Sequence, residues 1–157
     1  MRDPRYPVAQ EDSQLPLLRA LHEVTHRLMQ VASRHIESMG VTTCQFDVLA
    51  VLGDTDGMSC KELSRQSLVS NGTLTPVLDR LEGKGLVQRS RGEQDGRQTL
   101  VRLSDEGQTL YEETFLPHID YMRGYIDQLT PDEQETLRQL LGKLKQALSN
   151  PQPPSLR

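Results

Sequence analysis

Between Ser59 and Gly85 the chain carries two short helical stripes separated by a turn, and this spacing constrains the fold more than any other feature of its 157 residues. Ser59 with Glu62 has the form of a capping box, in which the serine oxygen can accept from the amide at 62 while the carboxylate reaches back to the serine amide. Leu63 follows as the apolar face, with Leu68 and Val69 beyond it. The run ends at Ser70-Asn71-Gly72, whose small polar residues favour a turn and whose serine can cap a second helix. That helix is expected over 73–84, with Leu74, Val77, Leu78 and Leu81 on one face and Thr73, Thr75, Pro76, Asp79 and Arg80 directed elsewhere. Gly83 and Gly85 end it, Gly85 as the left-handed cap. Two short helices joined by a tight turn make a helix-turn-helix. Beyond them, 86–89 and 99–103 alternate apolar and polar residues as strands do, around a loop with Asp95-Gly96-Arg97 at its centre. A hairpin in that place is a wing.

Charge placement matters more than its sum. A net charge of -4 argues against nucleic acid only if it is spread evenly. Arg80, Lys84, Arg89, Arg91, Arg97 and Arg102 all fall within the second helix and hairpin, whereas Asp132, Glu133 and Glu135 lie far down the chain. The 35% hydrophobic and 4% aromatic content is lean for a self-sufficient globule and suits an elongated helical protomer that completes its core against a partner. No apolar run approaches the ~20 residues of a membrane span, and the start lacks a signal-peptide core, so a cytoplasmic protein is expected. There is no phosphate-binding loop, nucleophile elbow or paired set of catalytic carboxylates, so neither an enzyme nor a cofactor is expected.

The module is flanked by longer amphipathic stretches. Residues 1–16 read as a flexible arm. From Leu17, apolar residues recur as Leu21, Val24, Leu28 and Val31 up to Ile36 before Gly40 ends a helix. Thr42 and Gln45 form a second capping box, followed by Phe46, Val48, Leu49, Val51 and Leu52, and 53–58 reads as a turn into the central module. Ser104 starts a helix whose stripe runs from Leu110 to Ile126, with a kink expected at Pro117. Thr130-Pro131-Asp132-Glu133 opens the last helix, striped by Leu137, Leu140, Leu141, Leu144 and Leu148, and prolines end it in a tail over 151–157. His22 and His26 stand one turn apart at a spacing that could share a metal, but no third or fourth ligand lies near, so no metal is expected. Cys44 and Cys60 each fall in the first turn of an expected helix, where the dipole favours a thiolate; Cys60 is the more exposed candidate, and the plain reading is two ordinary thiols.

The run from Ser70 to Thr75, then Leu78-Asp79-Arg80-Leu81-Glu82-Gly83-Lys84-Gly85-Leu86-Val87, Asp95-Gly96-Arg97 and Val101 to Gly107 resembles the MarR family of bacterial transcription regulators, over roughly 17–148. The resemblance implies a mainly α fold with a small antiparallel β-hairpin: a winged helix-turn-helix over roughly 42–104, with long dimerisation helices over roughly 17–39, 104–128 and 130–149. It implies a homodimer that binds double-stranded DNA at a palindromic operator, represses transcription and responds to a small-molecule effector. Carried over residue by residue, Ser70, Asn71, Thr73, Thr75 and Pro76 face bases or phosphates, with Arg80 farther along the helix. Arg91 meets a phosphate, and Arg97 enters the minor groove with Asp95 holding it extended. The family's effector pockets bring in Arg19, His22, His26 and Phe46. Two alternatives stand beside this reading: a thiol-based redox regulator working through Cys60 or Cys44, and a winged-helix protein-interaction module that does not touch DNA. The peroxide-sensing branch carries its thiol in the first helix, where this chain has no cysteine, and the urate-responsive branch has a tryptophan there, where this chain has none.

Overall fold

The computed structural model describes residues 14–91 and 99–149. The order of elements is α1 (Leu15–Ser38), α2 (Thr43–Leu52), β1 (Met58–Ser59), α3 (Cys60–Gln66), α4 (Asn71–Gly83), β2 (Val87–Arg91), β3 (Thr99–Leu103), α5 (Asp105–Ile126) and α6 (Pro131–Leu148). The fold is mainly helical with one small antiparallel sheet of order β1-β3-β2. The described residues fall into two compact units, one ending at His118 and the other beginning at Ile119.

The first unit is built on α4. Leu74, Val77, Leu78 and Leu81 are buried and meet Val48 and Leu52 of α2, Leu63 of α3, Met58 of β1, Val87 of β2 and Val101 of β3 in one cluster. A second cluster joins Ile36, Val41 and Phe46, with Leu110 and Phe115 packed against it. Burial of these side chains is the main favourable term in the fold, since each removes apolar surface from water.

Local signals place most helix starts. Thr42 accepts from the Gln45 amide at 3.3 Å while the Gln45 side chain accepts from the Thr42 amide at 3.1 Å. Thr130 and Glu133 make the same reciprocal pair at α6, with Pro131 in the first turn. At α3 only half of the expected box forms: Ser59 accepts from the Glu62 amide at 3.1 Å, but the Glu62 carboxylate turns to Arg65 and to Gln66.

Several expectations are corrected. The sheet has a third strand: Met58, expected in a turn, and Ser59, expected only as a helix cap, pair with Val101 and Leu100. Two residues are too few to show alternation, so pairing alone reveals them. Helix α1 starts at Leu15, and α4 starts at Asn71 rather than Thr73 because Ser70 is extended and its carbonyl accepts from the amides of Thr73 and Leu74. Asn71 and Gly72 are therefore helix, and the turn lies over 67–70. Leu68, read as continuing an apolar face, is 83% exposed. Helix α5 carries Pro117 inside its range.

The junction between the hairpin and α5 is tight. Ser104 Oγ donates to the Gly85 carbonyl at 2.5 Å and accepts from the Gly107 amide at 3.0 Å, while the Ser104 amide donates to the Leu86 carbonyl at 3.1 Å. A Cβ on Gly107 would lie 1.9 Å from the Leu86 carbonyl oxygen, a backbone atom that cannot swing aside. Gly107→Ala is therefore expected to destabilise the fold by about 2 to 3 kcal/mol in chemical denaturation, as overpacking against rigid neighbours does. An unchanged midpoint would mean that the junction is looser than this geometry.

Candidate nucleic-acid interface

Helix α4 presents its second face to solvent. Thr73, Thr75, Pro76 and Arg80 are all exposed, opposite the buried Leu74, Val77, Leu78 and Leu81. Ser70 occupies the N-cap position but does not cap: its hydroxyl bonds Thr73 Oγ1 at 2.9 Å. The positive end of the helix is thus left without a side-chain acceptor from Ser70, an arrangement that favours a negatively charged neighbour such as phosphate. Asn71 stands in the first turn.

The turn before α4 is fixed from α2. Asp47 accepts from the Leu68 amide at 2.6 Å. Burial raises its pKa above the ordinary carboxylate range, and the amides of Leu68 and Val69, which favour the charged form, reduce that rise without cancelling it.

The wing is rooted in a regular ladder. Strands β2 and β3 pair from Val87 with Leu103 to Arg91 with Thr99. Asp95 and Arg97 lie outside the described residues, and Arg91 is described only as the backbone end of β2. Arg89, grouped by sequence with the DNA-side cations, is committed elsewhere: its Nη1 donates to Asp79 at 2.6 Å and to Glu82 at 3.0 Å, both on α4. Arg102 donates to the Gln88 carboxamide at 2.9 Å. Sequence reasoning missed the roles of Asp47, Asp79, Glu82 and Arg89. The available signal was chemical: Asp79 and Glu82 lie three residues apart on one helix, with Arg89 on the strand that follows.

The effector candidates do not converge. An open pocket of about 590 Å³ on α1 is lined by His26, Met29, Gln30, Ser33 and Arg34. His26 bonds Gln30 at 2.9 Å and stacks with His22, ring centroids 6.4 Å apart. Arg19 is exposed on the same helix, while Phe46 is buried against Phe115 and His118. His118 itself donates or accepts at 3.2 Å from His35, and burial, then the charge of His35, lowers its pKa. Cys44 and Cys60 are both half-buried and both pack against the core under α4. Among the described residues no cluster of His, Cys, Asp or Glu could hold a metal ion, and no helix is long and apolar enough to cross a membrane.

The folded pKa of Asp47 exceeds its unfolded value, so ionisation detracts from stability at neutral pH and the loss is recovered as pH falls through the folded pKa. Asp47→Asn keeps a carbonyl acceptor for the Leu68 amide. It is expected to match or exceed the wild type in urea denaturation at neutral pH, with the advantage shrinking on acidification; a marked loss at neutral pH would show that the charged hydrogen bonds outweigh burial.

Comparison with known proteins agrees with this geometry. Residues 41–99 match the model of the MarR family. The HTH-type transcriptional regulator TtmR of Methylorubrum extorquens is 34% identical over 139 residues, covering 87% of this chain and 68% of that protein. The organic hydroperoxide resistance transcriptional regulator of Bacillus subtilis is 32% identical over 109 residues, covering 69% of this chain and 71% of that protein. The crystal structure of a cysteine-to-serine mutant of Escherichia coli MarR complexed with operator DNA superposes with a TM-score of 0.73 at 31% identity, covering 85% of this chain and 99% of that one.

Proposed function

Because the chain belongs to the MarR family of transcription regulators, DNA-binding proteins rather than enzymes, we propose that it acts in the cytoplasm as a homodimeric repressor of a palindromic operator. The observation that carries this reading is the division of α4 into a buried leucine-rich face and an exposed face bearing Thr73, Thr75, Pro76 and Arg80. A helix held from one side and open on the other is what a major groove admits. In a dimer, two such helices would meet half-sites about one helical turn, ~34 Å, apart.

Exposed apolar side chains support the homodimer. Helix α1 leaves Leu17, Leu18, Val24 and Leu28 exposed, and α6 leaves Leu137, Leu140, Leu141, Leu144 and Leu148 exposed. On each helix, exposed apolar side chains in this number support association with a second copy. A small-molecule effector is proposed to act by favouring a dimer whose α4 helices are wrongly spaced. The pocket around His26 supports a binding place on α1, and Phe46 is the weakest of the four candidates because it is core. No sensing role is assigned to Cys44 or Cys60, whose sulfurs are both partly covered by the core.

The wing supplies the test. Arg97 is proposed to enter the minor groove, where narrow A·T tracts concentrate negative potential, with Asp95 holding its side chain extended and Arg91 on a phosphate. Arg97→Ala is expected to weaken binding to a selected palindromic site by about 1 to 3 kcal/mol while the protein stays folded. Asp95→Ala should lose less, and the double variant less than the sum. Unchanged affinity for Arg97→Ala at physiological salt would remove the wing from the reading.

A further inference from the structure

Asp79 and Glu82 stand three residues apart on α4, on the helix proposed to lie between two phosphate backbones. Unpaired, two carboxylates in that position would repel the DNA. Both instead receive the same Nη1 of Arg89, at 2.6 and 3.0 Å, from the middle of β2. The Arg89 side chain is 24% exposed, less than either carboxylate it bridges. Burial is the largest influence on this guanidinium and disfavours its charge, yet the Asp79 hydrogen bond and the charges of Glu82 and Asp79 outweigh it.

The position of this contact gives it leverage. The chain leaves α4 through Lys84 and the left-handed Gly85, and the Leu86 amide donates back to the Leu81 carbonyl at 2.9 Å. Val87 then enters the core beneath α4. That turn, the buried Val87 and the ladder to β3 hold the base of β2. Arg89 adds a second attachment, two residues past the core anchor and two residues before β2 ends at Arg91. It ties the middle of β2, beyond that packed base, directly to α4.

We propose that Arg89 is a positioning residue for DNA reading, which clamps the wing hairpin to α4 through Asp79 and Glu82 and keeps both carboxylates from facing phosphate. The inference rests on the DNA-binding reading above and assigns Arg89 no contact with DNA. Arg89→Lys preserves the charge but replaces a rigid fork with a single ammonium, so it is an intermediate case. Replacing all three groups by neutral isosteres, Arg89→Gln with Asp79→Asn and Glu82→Gln, removes the clamp without exposing an acid.

The test measures wild type, Arg89→Lys, Arg89→Gln and the triple neutral variant against one selected palindromic duplex, with affinity at several salt concentrations and hydroxyl-radical footprints of the minor groove. Thermal unfolding serves as the control for folding. Arg89→Gln is expected to bind roughly tenfold more weakly, with Arg89→Lys between it and the wild type. The triple variant should recover part of the affinity while still lacking the minor-groove protection at the wing. Its slope of log K against log salt should fall together with the wing protection, because Arg91 and Arg97 leave the DNA with the wing. A slope reduced by about 0.9 with the wing protection intact would make Arg89 a direct phosphate ligand and overturn the proposal, as would full wing protection with an unchanged slope in the triple variant. Absence of specific binding by the wild type would instead overturn the DNA-binding reading itself.

Discussion

The burial of one face of α4 is the interaction on which the rest of this structure depends. Leu74, Val77, Leu78 and Leu81 share one buried cluster with residues from α2, α3 and all three strands, so the four side chains unite the larger of the first unit's two clusters. Each full burial stabilises by about 1.5 to 3 kcal/mol, comparable in sum to the net stability of a small domain. The same burial orients the helix. With one side committed to the core, Thr73, Thr75, Pro76 and Arg80 are left on the exposed side.

Electrostatics then refines what packing has placed. The chain is acidic overall, with a net charge of -4, and its two acids on α4 would work against an anionic partner. Arg89 takes them into a shared ion pair with the strand that leads to the wing. Surface pairs of this type add little to stability, about 0 to 1 kcal/mol, so the consequence of the contact lies in geometry and local charge rather than in folding energy. Asp47 acts similarly at the other end of α4. It gives up solvation to hold the Leu68 amide, which fixes the turn from which the helix begins.

Features set by neighbours within one or two turns were legible in the sequence. The boxes at Thr42 and Thr130, the left-handed Gly85 and the buried stripe of α4 all follow from spacings of three or four residues. Features set by partners distant in sequence were not. Strand β1 exists because Met58 finds Val101, and half of the Ser59 box is absent because Arg65 and Gln66 compete for Glu62. Ser70 was read as a cap since its residue type favours one, but its hydroxyl pairs with Thr73. Arg89 looked like one more wing cation because charge alone does not say which carboxylate a guanidinium will meet. The exposed residues of α4 were the legible part of the site, and the groups that orient it were the illegible part.

The central claim is that α4 is a reading helix presented twice by a dimer. Sedimentation velocity of the protein at micromolar concentration, alone and with a duplex carrying the selected palindrome, tests it most directly. The account predicts a dimer in the absence of DNA and a single complex of two protomers per duplex, with half-sites about one helical turn apart. A stable monomer, or a single protomer on a half-site with no gain in affinity from the second half, would contradict it.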